Sequence, residues 1–417
     1  MSFHLYTTNC LTGLAEAYIQ AREKDLSLFR DTENLFTPEV VVIPTQGMQI
    51  WLEHQLVKSG QVVANRSWPR IQEYVNEILS KEFEGDEAFH PELFTRQVLL
   101  WRILELLRED ERVGGKEFPG LYRYLHKEEV SAGETELLFL RQFQLSEKLA
   151  EVFDQYLCFL PELLAEAEKA EVCCTGEDPV EWQKRLWWKL CHLNGTAIHS
   201  PASRLVDYCN LAEVKHLRAP ITVFGASAMS VWFLKVFQKA ASSNEVHFFY
   251  HNICDEFWGD QDRKLGKSLE LKEDENGFEE FNNSLLCKFG EQGRRFFNAF
   301  MDAGLILPDE TWEDSTEREF ENCWTEHAVD DKLSLLHAIQ KHIRTCTNPP
   351  RETVPELPAW DDSLTVHRCH NEKREVEELQ NALLYLIQTH HYKMTDILVM
   401  APDISQFAPI ISSVLDK

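Results

Sequence analysis

Apolar residues follow two rhythms along the chain. Up to about residue 72, and again from Ile221, short β-branched or aromatic runs alternate with helical patterns; between Glu73 and Leu193 the period is helical throughout. Val40-Val41-Val42-Ile43 is a run of the kind that a parallel sheet buries on both faces. The turn Pro44-Thr45-Gln46-Gly47 follows, then a helical pattern placing Met48, Trp51, Leu52 and Leu56 on one face, with Thr45 positioned to cap it.

Before that stretch, Leu5–Asn9 predicts a first strand and Leu11–Arg22 a helix. After it, Gln61-Val62-Val63-Ala64-Asn65 predicts a further short apolar element, broken by Trp68-Pro69-Arg70. In the helical region, Leu93, Val98, Leu99, Trp101, Leu104 and Leu107 define one amphipathic helix, and Leu137–Phe159 a longer one closed by Pro161. The strand pattern returns at Ile221–Ala228 with a small-residue turn, then helix Val231–Ala241 and strand Val246–Tyr250. That spacing is a βαβ crossover in a parallel sheet. A helix is expected over Ser284–Ala303, an extended linker at Pro349–Pro358, and then strand Leu364–Cys369, helix Arg374–Gln388 and strand Ile397–Ala401. The pattern thus reads as an α/β frame with an all-helical insertion, followed by the start of a second βα unit.

Length and charge narrow the function classes. A chain of 417 residues exceeds one ordinary domain. No apolar run reaches the roughly 18 to 20 residues that span a membrane, and the N-terminus lacks a signal-peptide pattern. A soluble, cytoplasmic protein without membrane contact is expected. The 11 cysteines are scattered without a C-x-x-C pair, which fits reduced thiols. Cys173-Cys174 are adjacent and point apart, and His367, Cys369 and His370 sit on an alternating run that splits them between faces, so no metal site is expected. The net charge of −27 argues against a surface coated for phosphate binding but permits a locally basic groove. The acidic runs Glu270–Glu280 and Glu310–Glu321 read as solvated loops.

The turn after Val40–Ile43 is where a nucleotide phosphate sits in an α/β domain, because helix-start amides point outward there. Yet it offers neither a second glycine nor a Lys-Ser/Thr pair. Gly266-Lys267-Ser268 carries those last residues, but six residues separate Gly259 from Gly266 where a phosphate loop has four, and the segment opens acidic. Phe224-Gly225-Ala226-Ser227-Ala228 lacks the second glycine of a nucleophile elbow, since Met229 holds that position. No carboxylate pair follows an apolar strand in a way that would hold Mg²⁺. The architecture of a nucleotide-binding domain is present without its chemistry.

Six segments, in order, resemble the exonuclease V gamma subunit family (RecC). Gly47-Met48-Gln49-Ile50-Trp51-Leu52 is similar to G-M-x-x-W-L, and Phe153-Asp154-Gln155-Tyr156-Leu157 with Pro161 and Leu164 to F-D-Q-Y-L and P-x-x-L. Phe224–Ala228 resembles a G-x-S-A turn. Asn252-Ile253-Cys254 with Trp258-Gly259-Asp260 resembles N-P-C…W-G-D, Ile253 replacing the proline. Asn283-Ser284-Leu285-Leu286, Gly290 and Gly293-Arg294 resemble N-P-L-L…G…G-R. Cys369-His370, Arg374–Glu377 and Asp396–Met400 resemble C-H…R-E-V-E…D-I-I-V-M.

The resemblance implies a helicase superfamily 1-like parallel-sheet domain that has lost its ATP site, residues 1–72 and 205–345, with a helical insertion at 73–204. It implies a linker at 346–360 and the beginning of a second helicase-like domain at 361–417. It further implies a non-catalytic subunit of an ATP-dependent helicase–nuclease in double-strand-break repair. Its partners would be RecB-like and RecD-like subunits, which use the ATP and Mg²⁺, and it would split duplex DNA and guide the 3′ strand, with recognition of a Chi hotspot. Carried over by position, the strand-reading candidates are Gln46, Ile50, Arg70, Glu151, Val152 and Asp154; all but Asp154 depart from the family's best-known pattern, and Pro44 replaces a polar residue. Gln46 suits an adenine edge, Arg70 a guanine or phosphate, Asp154 a cytosine amino group. Lys288, Arg294 and Arg295 are phosphate-contact candidates. Against these stand plainer readings: Trp51 and Leu52 as core, Tyr156 as packing instead of a base-stacking ring, and Asp154 paired with Arg141 or Lys148. Two rival functions fit the same residues: an active ATPase using Lys267, and a scaffold for helicases without DNA contact.

Overall fold

The structure is a computed structural model that describes residues 2–29, 36–126, 135–169, 171, 180–193, 196–217, 219–254, 257–260, 283–304, 328–329, 332–348 and 361–415. The acidic runs 270–280 and 310–321, Cys173-Cys174, Gly266-Lys267-Ser268 and the linker 349–358 lie outside those residues. Contacts divide the chain into two units, 1–325 with 342–349, and 326–341 with 350–417. Residues 326–341, expected with the first domain, are grouped with the second.

The first unit runs β1 (Phe3–Thr8), α1 (Leu11–Lys24), β2 (Glu39–Val42), α2 (Gln46–Lys58), β3 (Arg66–Ser67) and α3 (Ile71–Glu82). The helical stretch follows as α4 (Arg96–Arg112), α5 (Pro119–Leu125), α6 (Thr135–Phe159), α7 (Pro161–Lys169) and α8 (Glu181–Cys191), then a small hairpin of β4 (His192–Leu193) and β5 (Thr196–Ala197). α9 (Pro201–Asn210), β6 (Ile221–Phe224), α10 (Val231–Ala240), β7 (Val246–His251), α11 (Ser284–Phe289) and α12 (Glu291–Asp302) complete it.

One five-stranded sheet, ordered β1-β7-β6-β2-β3 and parallel throughout, organises this unit. Each central strand is apolar on both faces because helices cover both. Val41, Ile43, Phe224 and Phe249 face a core shared with α1 and α2, while Val42, Val223, Phe248 and Tyr250 face one shared with α3, α9, α10 and α12. This is why the β2 run shows no polar alternation. A third core, built on Leu99, Ile103, Phe153, Leu157, Leu186 and Trp187, belongs to the helical stretch.

Several expectations need correction. The short apolar element expected at Gln61–Asn65 is only partly packed: Val63 lies against the core, but Val62 is exposed, Gln61 accepts a hydrogen bond from Arg22, and Asn65 turns at φ +53°. Beyond it, Arg66–Ser67 pairs with the β2 edge away from β6, where Arg66 reaches the buried Glu39 carboxylate at 3.1 Å. The expected single helix over Ser284–Ala303 is broken at Gly290 into α11 and α12. A Cβ at Gly290 would lie 2.5 Å from the Leu286 carbonyl oxygen and 3.2 Å from the Trp258 ring, so only glycine admits this close turn. Trp101, expected on the buried face of its helix, is 61% exposed.

The second unit holds the hairpin β8 (Ala328–Val329) and β9 (Lys332–Leu333), the start of α13 (Leu335–Arg344), α14 (Glu372–Thr389) and α15 (Ile404–Leu415). The α14 expectation is met, capped by Asn371 accepting from the Arg374 N–H at 2.8 Å. The strands expected at Leu364–Cys369 and Ile397–Ala401 are not formed. Neither run has a ladder partner among the described residues, and Val366, Leu398 and Met400 are exposed.

Candidate nucleic-acid interface

The sheet order sets the site. From β2 the chain proceeds to β3 on one side, and from β6 to β7 on the other, so a crevice opens beyond the carboxyl ends of β2 and β6. A groove of about 480 Å³ occupies that place, lined in part by Pro44 after β2, Ala228 and Met229 after β6, and Arg70 after β3. Leu157, Phe159 and Phe233 supply apolar walls; Ile71, Gln72 and Glu73 of α3 and Thr95 and Arg96 of α4 line it as well. The starts of α3, α4 and α10 therefore border this region, and Arg70 and Arg96 bring positive charge to it.

Each element is held for a visible reason. Thr45 Oγ1 accepts from the Met48 N–H at 3.2 Å and caps α2 as expected. Ile43 N–H donates to the Pro69 carbonyl at 3.1 Å, carrying the sheet one step past β3 and presenting Arg70 at the start of α3. The Arg70 N–H donates to Glu73 Oε2 at 3.1 Å, leaving the guanidinium exposed. On α6, buried Phe153 and Leu157 anchor the helix, which turns half-buried Asp154 and Cys158 into the groove. The Ser230 hydroxyl, capping α10, also donates to the Cys158 carbonyl and ties the end of α6 to the turn after β6.

The sequence candidates separate accordingly. Arg70 and Asp154 both line the groove. Gln46 and Ile50 are exposed, one turn apart at the start of α2, and do not line it; Trp51 and Leu52 of the same helix pack inward, Leu52 fully buried. Glu151 pairs with Lys148 at 3.1 Å and lies 3.8 Å from Arg96, and its carboxyl is held below the ordinary range, first by Lys148. Val152 is half-buried on α6. Tyr156 is half-buried, its hydroxyl donating to Gln183 at 3.0 Å and its ring edge-on to Phe153, the packing arrangement. Lys288, Arg294 and Arg295 lie on α11 and α12, outside the groove lining; Arg295 pairs with Glu291 at 2.7 Å, and Arg294 keeps one buried guanidinium nitrogen unpaired among the described residues. Arg96 was not singled out from the sequence. Its signal is Thr95 before a strong amphipathic period, which marks a helix start but not the direction it faces.

Among the described residues the groove lining brings no nucleophile–base pair together. Burial pushes the Cys158 thiol up to about 12, so it stays protonated and unreactive at neutral pH. The metal-ligand grouping found among the described residues is His4, Glu245 and His247, at the opposite, amino ends of β1 and β7. The His4 and His247 rings stack at 4.6 Å with planes 7° apart. In-plane lone pairs on parallel stacked rings cannot converge on one ion at roughly 2 Å.

The family model for RecC, N-terminal domain, matches residues 3–345. The chain belongs to the RecC family. Its sequence is 25% identical to the "RecBCD enzyme subunit RecC" of Haemophilus influenzae over 94% of this chain, and 26% identical to that of Escherichia coli over 99%. The Mycolicibacterium smegmatis protein of the same name is 23% identical over 91%. The match covers 38%, 38% and 32% of those relatives, so this RecC-family chain spans less than two fifths of their length.

Two of the six RecC-like segments, Asn252–Asp260 and Asn283–Arg294, serve as packing and capping devices. The indole of buried Trp258 donates to Asn252 Oδ1 at 3.1 Å, while Asn252 Nδ2 donates to the Cys254 carbonyl at 2.6 Å. Gly290 and Gly293 lie directly against the Trp258 ring. Asn283 caps α11 by accepting from Leu285 and Leu286 N–H groups at 3.0 Å, and its amide donates to the His342 and Thr347 carbonyls. No helix among the described residues is long and apolar enough to cross a membrane.

Proposed function

We infer that this chain is the N-terminal portion of a non-catalytic, DNA-guiding subunit of an ATP-dependent helicase–nuclease of the exodeoxyribonuclease V type, acting in recombinational double-strand-break repair. One observation carries the reading: at the switch point of a nucleotide-binding sheet, where phosphate chemistry is missing, Arg70, Arg96 and Asp154 line an open groove. Arginine suits a phosphate or a guanine edge, and a carboxylate accepts from a cytosine amino group. In this reading residues 1–72 and 205–345 form a helicase-like domain, 73–204 its helical insertion, 346–360 a linker and 361–417 the start of a second helicase-like domain.

In this reading the chain needs no cofactor of its own; ATP and Mg²⁺ are used by RecB-like and RecD-like partners in the cytoplasm, and the groove borders the path of the 3′ strand, with Chi recognition as its most specific use. Photocrosslinking tests this. A complex of the chain with both partners, loaded on a forked duplex, should crosslink through probes at Gln46 and Asp154. Absence of both crosslinks from an assembled complex would leave a scaffold without DNA contact. DNA-stimulated ATP hydrolysis by the purified chain, lost in Lys267→Ala, would replace the reading with an active ATPase.

A further inference from the structure

Helix α3 turns two idle carboxamides into the groove. Gln72 and Asn76 both line it, are half-buried, and lie one helical turn apart on the same face. Neither side chain has a hydrogen-bond partner among the described residues. Glu73, the acidic residue between them, is spent on the helix start, accepting from the Arg70 N–H at 3.1 Å. Half-buried carboxamides elsewhere in this unit are engaged: Gln238 donates to the Ala303 carbonyl at 2.9 Å and Asn298 to the Gly259 carbonyl at 2.9 Å. Packing of α3 is carried by Tyr74, Val75, Ile78 and Leu79, all buried, so Gln72 and Asn76 are not needed to hold the helix.

We propose that Gln72 and Asn76 make the groove selective for adenine in the guided strand, each carboxamide reading the N6/N7 edge of a base. The inference rests on the DNA-guiding reading above. A carboxamide sets a donor beside an acceptor. On that edge adenine offers the complement, an amino donor beside the N7 acceptor, whereas guanine offers two acceptors, and cytosine and thymine one polar group each. Because both side chains are neutral, the selection does not depend on the balance of charge along the groove. The exposed ring of Phe159 gives the face of a splayed base a surface to stack on, and the exposed Arg70 guanidinium is placed for the phosphate.

The test uses the full chain with RecB-like and RecD-like partners on a forked duplex whose 3′ tail is oligothymidine carrying an adenine block. The wild-type complex should bind the adenine block about fivefold or more tightly than an all-thymidine tail, and 7-deaza-adenine in the block should remove the preference. Gln72→Ala with Asn76→Ala should abolish the preference while leaving affinity for the all-thymidine tail within about twofold. Melting curves check folding, and Gln72→Arg gives an independent readout by moving the preference toward guanine, whose N7 and O6 an arginine meets. If the Asp154 probe crosslinks but the wild type shows no adenine preference, the proposal fails while the DNA-guiding reading stands. If neither the Gln46 nor the Asp154 probe crosslinks, both fail. A preference that survives the double substitution or 7-deaza-adenine overturns the proposal, as does uniform weakening on every tail, which would make the two carboxamides backbone contacts.

Discussion

Met48 packs directly over Gly225. A Cβ built on Gly225 would lie 3.0 Å from Met48 Cε and 3.1 Å from its sulfur, and Gly225 holds φ at +69°. Thus the helix after β2 and the turn after β6 close on each other at the carboxyl edge of the sheet. Gly225→Ala should destabilise the first unit by about 1–3 kcal/mol: the left-handed backbone alone costs a side-chain-bearing residue roughly 1–2 kcal/mol, and the thioether must also move. Urea unfolding checks this. A loss below about 0.5 kcal/mol would mean that the turn relaxes freely.

Asn252 ties three parts of the fold together. Its backbone N–H donates to the Thr8 carbonyl at 3.0 Å, and its amide bridges the Trp258 indole and the Cys254 carbonyl. Asn252→Ala leaves a buried donor and a buried acceptor unmatched, an expected loss of about 2–4 kcal/mol. Trp258→Phe, which removes the donor but keeps most of the ring, should cost less. An equal or greater loss for Trp258→Phe would locate the stabilisation in ring packing instead of the hydrogen bonds.

The parallel sheet was legible because β-branched runs buried on both faces leave no polar alternation to misread. Helix starts were legible where Thr45, Ser230 or Asn283 stood before a period. The break at Gly290 was harder to read, because the glycine is required both by the Leu286 carbonyl of its own preceding turn and by the Trp258 ring, some thirty residues earlier and touching only in three dimensions. The expected strands at Leu364–Cys369 and Ile397–Ala401 do not form, since alternation in the first and a continuous apolar run in the second signal strand propensity, while a strand exists only with a neighbour to pair. For the site, Arg70 and Asp154 could be chosen one by one. Their meeting with Arg96 across three elements could not, and the candidates on α11 and α12 belong to another part of the surface.

Asp86 supplies a pH dependence. Burial alone would raise its carboxyl, but hydrogen bonds from His199, the Ala88 N–H and Arg204 hold it below the ordinary range. A folded-state value below the unfolded one gives stability that is fully present above about pH 4 and is lost as pH falls through the folded-state value. Asp86→Asn should therefore lower stability at neutral pH and flatten the acid limb of a stability–pH curve. Parallel acid limbs in wild type and variant would exclude Asp86 as a contributor. The pairing matters locally: it fastens the turn between α3 and α4 to the start of α9, next to the groove wall.

The groove predicts a division of labour between Arg70 and Asp154 in the assembled complex. Arg70→Ala, removing one phosphate-competent cation, should weaken binding to forked DNA across all sequences and reduce the salt slope of log K by about one. Asp154→Asn keeps shape while exchanging half the acceptor capacity for a donor. If Asp154 accepts from a cytosine amino group, the variant should leave average affinity nearly unchanged but shift discrimination at a single base position by about 1–3 kcal/mol. Competition binding over a randomised single-stranded segment, repeated at two salt concentrations, separates the two effects. A uniform loss from Asp154→Asn would make it a positioning residue for α6, and no effect from either substitution would move the DNA path off the groove.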